Sequence, residues 1–139
     1  MKYIKNDNMI FLSLEKGEEI NSSIIDLAKH EKINSCWING IGAIENIDVR
    51  YYNIENKIYE NKIYKGEYEL TSLIGNISIN NGELFVHNHI TFSDINYKSR
   101  GGHLFSATIT AAGEFCLFLG KNKIFRKYNH DIGLSLWNF

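Results

Sequence analysis

Glu83–Ala112 reads ELFVHNHITFSDINYKSRGGHLFSATITAA, and the rest of the chain is organised around this stretch. Leu84, Val86, Ile90 and Phe92 alternate with His87 and His89, and a period of two marks a strand with one apolar face. Residues two apart on a strand project from the same side. His87 and His89 therefore present their imidazoles together, opposite the apolar row. His103 opens a second run, HLFSATITA, whose small and β-branched residues also suit a strand. The polar segment Ser93–Gly102 connects the two. In an antiparallel hairpin His103 falls near the level of His89. One parity of register then brings all three rings to a common face, and the other separates them. Regular alternation in the second run places Phe105, Ala107 and Ile109 beside His103, which predicts a partly apolar pocket wall.

Three imidazoles carried by rigid strands can hold zinc or a similar divalent ion and leave one position open for water or substrate, as catalytic zinc sites do. His87, His89 and His103 are the candidate metal ligands, and zinc is the first choice of ion. His-x-His alone recurs by chance in strands, where such residues simply hydrogen-bond at the rim of a sheet; the third histidine is what strengthens the metal reading. Asp94 and Glu45 are candidates to orient the rings from behind.

Working upstream, Asn80-Asn81-Gly82 is a hairpin signal that leads into the histidine strand, and Tyr68–Asn80 alternates as a strand. Asn53–Gly66, rich in Tyr, Lys and Asn, reads as a hairpin or irregular excursion, with Ile47–Tyr52 a strand before it. Ser35–Ile44 is strand-like but interrupted by Gly40 and Gly42, which suggests a bulge or a close backbone approach. A phosphate loop fits poorly, because the third glycine is missing and no helix follows. From Glu19 to Lys32, Ile20, Ile24, Leu27 and Ala28 recur at helical spacing, with Asn34 as the left-handed stop. His30 sits near the end of that helix, where a protonated ring suits the dipole, and takes no catalytic role. Tyr3–Ile4 and Met9–Leu14 form an opening hairpin around Asn6-Asp7-Asn8.

Downstream, Gly113 is expected to turn the chain into Phe115–Leu119, and Gly120–Lys123 to turn it again. Ile124–Tyr128 and Ile132–Phe139 are closing strands. Leu134, Leu136, Trp137 and Phe139 place apolar mass at the end, as core or as interface. Many short strands with one early amphipathic helix make the fold class α+β, mainly antiparallel sheet.

The 139 residues, 44% apolar and 22% charged, fit one domain spanning 1–139 with its own core. A net charge of −1 gives no general attraction for polyanions or membranes. No apolar run is long enough to span a bilayer, and Met1–Leu14 lacks a signal-peptide layout, so a cytoplasmic protein without membrane association is expected. Cys36 and Cys116 lie in separate strand-like runs without Cys-x-x-Cys spacing and are expected to be free thiols.

Several of these motifs carry a resemblance. His87-x-His89, the loop with Ser93 and Asp94, and Gly101-Gly102-His103-Leu104 resemble the signature of the plants and prokaryotes conserved (PPC) domain, a family of predicted DNA-binding proteins. Trp37-Ile38-Asn39-Gly40-Ile41-Gly42-Ala43, Tyr68-Glu69-Leu70 and Leu73–Ile77 resemble further parts of it, in the same order. Asn88 departs from the pattern, where an apolar residue is expected. The resemblance covers nearly the whole chain and implies a PPC-like fold assembled as a homotrimer.

The PPC fold is similar to that of acetolactate decarboxylase, which holds zinc with an equivalent histidine set. By that resemblance the three histidines are ligands for a metal acting on a small carboxylate or carbonyl compound. Arg100 is a candidate to grip a carboxylate, with Arg50 and Glu45 as weaker ones. The chain resembles only half of that larger enzyme, and its acid and base cannot be placed. The alternative is a DNA-binding or regulatory trimer without catalysis. The Arg-Gly-Arg hook associated with DNA contact in plant members does not occur in this sequence, and the best basic stretch is Lys121, Lys123, Arg126 and Lys127. A third option is a purely structural trimer.

Overall fold

A computed structural model describes all 139 residues. In chain order the elements are β1 (Lys2–Lys5), β2 (Met9–Glu15), α1 (Ile20–His30), β3 (Cys36–Asn53), β4 (Ile58–Asn80), β5 (Glu83–Ser93), β6 (Ser99–Leu119), β7 (Phe125–Asn129) and β8 (Leu134–Asn138). The sheet order is β1-β2-β6-β3-β4-β7-β8, and β5 pairs with both β4 and β6. β3, β4, β5 and β6 thus close into a ring of antiparallel pairs. β6 serves three neighbours: Ser99–His103 pairs with β5, Ala112–Phe118 with β2, and most of its length with β3. No helix is long and apolar enough to cross a membrane. Cys36 and Cys116 are free.

The helix packs on β5 and β6 and buries Ile20, Ile24, Leu27 and Ala28 completely in the core, with Ile38, Leu73, Phe92 and Leu117 among their neighbours in it. Each of the three larger side chains contributes about 1.5–3 kcal/mol by leaving water. Glu19 caps the helix, its carboxylate accepting from the backbone N–H groups of Asn21 and Ser22. The left-handed stop falls at Lys32 (φ 56°) and not at Asn34. Ile33 N–H bonds back to Ala28 C=O, so the turn comes two residues earlier than expected, just before the buried Ile33.

Several sequence boundaries merge. Ser35–Ile44 and Ile47–Tyr52 belong to one strand, β3, and Asn53–Gly66 is a hairpin closing at Asn53↔Ile58, whose return arm runs on as β4. The turn at Asn81 and Gly82, both at positive φ, matches the hairpin expectation. Gly113 does not turn the chain: it lies within β6, in register with Gly42 of β3. A Cβ there would sit 2.7 Å from Ile109 Cδ1 and Phe115 Cε2, and one on Gly42 would sit 2.6 Å from Ala112 O. Gly42 thus lets β3 approach the β6 backbone, and Gly113 makes room for the Ile109 and Phe115 side chains of its own strand.

A pair of bulges sets which residues face outward near the histidines. Between Glu45↔Thr108 and Asp48↔Ser106, β3 holds one extra residue; between Asp48↔Ser106 and Val49↔Leu104, β6 holds one. The offsets cancel. In β6 the step from buried Leu104 to buried Ala107 breaks the alternation. Ala107 and Ile109 therefore point into the core with Leu104, and of the three residues that regular alternation places beside His103 only Phe105 shares its face.

The bulge leaves backbone carbonyls to satisfy. Asn21 Nδ2 donates to Leu104 O (3.3 Å) and Phe105 O (3.0 Å), and Asn88 Nδ2 donates to Asn21 Oδ1 (2.9 Å). This accounts for Asn88 where an apolar residue was expected. It faces the core, fully buried, and ties β5 through the helix to the kink in β6.

Candidate metal centre

His89 and His103 are directly opposed across β5 and β6, which is the register parity that gathers all three rings. Their candidate ligand nitrogens lie within 4.8 Å of one another, and ring centroids are separated by 5.0–5.4 Å. His87 Nε2 lies 3.2 Å from His89 Nε2. Two nitrogens bound to one tetrahedral zinc at about 2.0–2.1 Å stand about 3.3 Å apart. The observed spacing therefore matches a shared ion with little adjustment. His103 Nδ1 is buried with no hydrogen-bond partner, a nitrogen for which the protein itself supplies nothing. By these observations the residues fit a three-histidine metal site.

Two of the rings, His87 and His103, are tuned to stay neutral. Burial lowers the pKa of His87 to about 4, helped by the neighbouring charges of His103, Arg126 and His89. Burial likewise lowers His103 to about 4, with His89, Arg50 and Arg126 adding to it. Neutral imidazole is the ligating form, so near pH 7 these two rings are not held back by a second proton.

Two hairpins enclose the site. Tyr59, on the outer arm of the β3–β4 hairpin, stacks on His103 with centroids 5.5 Å apart. Its neighbour Tyr52 donates to Ile132 O (2.7 Å), and Lys57 Nζ donates to His130 O (2.7 Å), clasping this hairpin to the β7–β8 turn. Between β7–β8 and the histidine face lies a cleft of about 320 Å³, whose walls include Tyr59, Phe85, His87, His103, Arg126 and Leu136. No acidic side chain lines it.

Arg126, grouped with surface lysines by sequence position, turns inward. Its Nε donates to Ser78 Oγ (2.7 Å), Nη1 to Ser135 O (2.9 Å) and Nη2 to Asn76 Oδ1 (3.2 Å), and Nη2 lies 3.4 Å from His87 Nδ1. A guanidinium only donates, so His87 Nδ1 is the acceptor of that contact. Lys121, Lys123 and Lys127 remain exposed.

The other candidates are dispersed. Arg50 is opposite His103 on β3; its guanidinium lies over the Phe105 ring at 3.2 Å, reaches Asp48 Oδ2 at 3.5 Å, and leaves Nε buried without a partner. Arg100 is paired with Asp94 Oδ2 (2.9 Å) and also bonds Lys98 O. Three residues from His103 on a pleated strand, it faces the other side. Asp94, its pKa lowered by the Lys98 N–H and by Arg100, organises the β5–β6 connection and not the rings. Glu45 pairs with Thr108, five residues along β3 from Arg50 and roughly 16 Å away at the usual strand rise. Sequence reading missed Tyr59 and the inward role of Arg126. Nothing in Ile58–Lys62 or Phe125–Asn129 has an alternation that singles them out.

Beyond the histidines the same face continues sideways. One ladder row runs Phe11, Cys116, Asn39, Ile74, His89, His103. Phe11, Trp37, Ile41, Ile74 and Phe118 are all exposed.

The chain resembles solved structures over nearly its full length. A candidate DNA-binding protein from Bacteroides thetaiotaomicron shares 36% identity over 99% of this chain and 96% of its own, with a TM-score of 0.96. A plant- and prokaryote-conserved protein from Pyrococcus horikoshii shares 36% identity over 99% and 94%, with a TM-score of 0.87. A metal-containing protein from Archaeoglobus fulgidus shares 30% identity over the whole of both chains, also with a TM-score of 0.87. Among curated proteins none matches. The model of the Plants and Prokaryotes Conserved (PCC) domain matches residues 1–122, and the chain belongs to that family.

Proposed function

We propose that His87, His89 and His103 hold one divalent ion, zinc, and that the adjoining cleft binds or transforms a small carboxylate or carbonyl compound. The observation that carries this reading is the 3.2 Å separation of two Nε2 atoms with the third histidine directly across the ladder. The metal-containing description of the Archaeoglobus relative agrees with it. Zinc held there would polarise a carbonyl or carboxylate oxygen and stabilise negative charge developing on it. The chain's own part is to keep the His87 and His103 rings neutral by burial, to fix His103 against Tyr59, and to shield the cleft between two clasped hairpins.

The working unit of this reading is a cytoplasmic homotrimer. The exposed apolar side chains Phe11, Trp37, Ile41, Ile74 and Phe118 on that face support assembly, because exposed apolar surface of this kind marks interfaces. Ile74 pairs directly with His89, so a neighbouring subunit there would border the metal site. The test is metal content of untagged, chelator-free protein against a folded His87→Ala/His89→Ala/His103→Ala variant. One tightly held ion per chain, lost in the variant, is expected. No ion after addition of zinc, manganese and iron overturns the reading.

DNA binding by such a trimer is the second reading. Lys5, Lys32, Lys121 and Lys123 border one surface depression, and the Bacteroides relative is described as a candidate DNA-binding protein. Affinity for duplex DNA that falls steeply with salt and is lost on replacing Lys121 and Lys123 would favour it.

A further inference from the structure

The geometry points to Arg126 as the anchor for the charged head of the cleft's ligand, a small monocarboxylate with an apolar, ring-sized body. This deepens the metal-site reading and rests on it. The chain has three arginines. Arg50 faces Asp48 and Arg100 faces Asp94, but Arg126 faces no carboxylate at all. It is half-buried, held by two side-chain oxygens and one carbonyl, all uncharged. A cation withdrawn from water without a counter-ion is costly, and an anion arriving beside it is correspondingly favoured. The cleft it lines contains no acidic side chain.

Metal binding strengthens the argument. With a metal on Nε2, a neutral His87 would carry its proton on Nδ1, and that nitrogen would no longer accept from Arg126. One Nη2 hydrogen would then lack its acceptor beside the metal ligands, the bond to Asn76 Oδ1 remaining. A carboxylate supplies one, with the charge-assisted geometry guanidinium prefers. The remaining walls select the body: Tyr59, Phe85, Tyr128, Leu134 and Leu136 surround a space of about 320 Å³, at the small end for ligand sites and dominated by rings and aliphatic groups.

The probe is phenylacetate, with phenylacetamide as its uncharged counterpart and acetate as a head without a body, titrated calorimetrically into zinc-treated protein. Phenylacetate binds and phenylacetamide binds at least about tenfold more weakly; Arg126→Met weakens phenylacetate by at least about tenfold, the size expected for a charge-assisted contact. Leu136→Trp fills the body's space and weakens phenylacetate but not acetate, and it serves if Arg126→Met does not fold. Equal affinity for acid and amide, equal affinity of the wild type and Arg126→Met, or no binding of phenylacetate overturns the proposal. Zinc content read on the same samples reports the metal reading separately. If the wild type holds no zinc, that reading fails, and titration of the metal-free protein still decides whether Arg126 holds the carboxylate.

Discussion

Replacing Asn21 with alanine removes the link that joins the helix, β5 and the kink of β6. Three hydrogen bonds go at once: two to Leu104 O and Phe105 O, and one accepted from Asn88 Nδ2. Asn88 is fully buried and its Oδ1 already lacks a partner, so its amide would be left wholly unsatisfied in the core. A buried amide stripped of its partner costs about 1–3 kcal/mol, and the lost bonds to the bulge carbonyls bring the total to about 2–4 kcal/mol. With a urea slope of about 2 kcal/mol/M, the unfolding midpoint falls by roughly 1–2 M at fixed protein concentration. The same physics predicts a rescue. In Asn21→Ala/Asn88→Leu the buried polar group is itself gone, and the double variant is more stable than Asn21→Ala alone. A cost below about 0.5 kcal/mol for the single change, or a double variant no more stable than the single one, would refute the account. Because His103 stands two residues before the bulge, zinc affinity should weaken in the single variant and recover in part in the double.

The metal-free protein should lose stability on acidification through the window set by His87 and His103. Their folded values of about 4 lie below the unfolded value of about 6.5, so between these the unfolded chain binds more protons and stability rises with pH. Urea midpoints measured from pH 7 to 4 should fall in the wild type and stay flatter in His87→Gln/His103→Gln. Gly113→Val should destabilise by about 1–3 kcal/mol through overpacking against Ile109 and Phe115 of its own strand; a neutral result in thermal unfolding would mean that these two side chains yield without strain. Tyr52→Phe, which removes the bond to Ile132 O, should cost about 1 kcal/mol and speed amide exchange in the β7–β8 turn while leaving β5 unchanged.

The sequence was legible where local rules act alone. The apolar spacing of Ile20, Ile24, Leu27 and Ala28 identified the helix, and Asn81-Gly82 identified its turn, because both signals lie within a few residues. The pairing of His87 with His89 follows from strand periodicity, and the choice of face survived because Leu84, Val86, Ile90 and Phe92 are so consistently apolar. The parity of His103 depended on register and needed coordinates. Regular alternation failed at Phe105, since a bulge is invisible in hydropathy when the residues around it are Leu, Phe, Ser and Ala. Gly113 misled for a related reason: glycine signals both turning and close approach, and only the partner strand distinguishes them. Arg126 looked like part of a basic surface run because its neighbours in sequence are lysines. Its actual surroundings, Ser78, Asn76 and His87, come from strands some forty to fifty residues earlier.

The cancelling bulges of β3 and β6 also constrain ancestry. Each extra residue is closed on both sides by paired neighbours, so a relative that lost the counterpart of Phe105 alone would carry every later rung of that ladder one step out of place. Loss of the counterpart near Asn46 alone would do the same in the opposite sense. Within the β3–β6 ladder, either deletion restores the register that the other disturbs. Segment lengths on these two strands, more than fifty residues apart in the chain, should therefore be inherited together, and within the family a gap in one should predict a gap in the other.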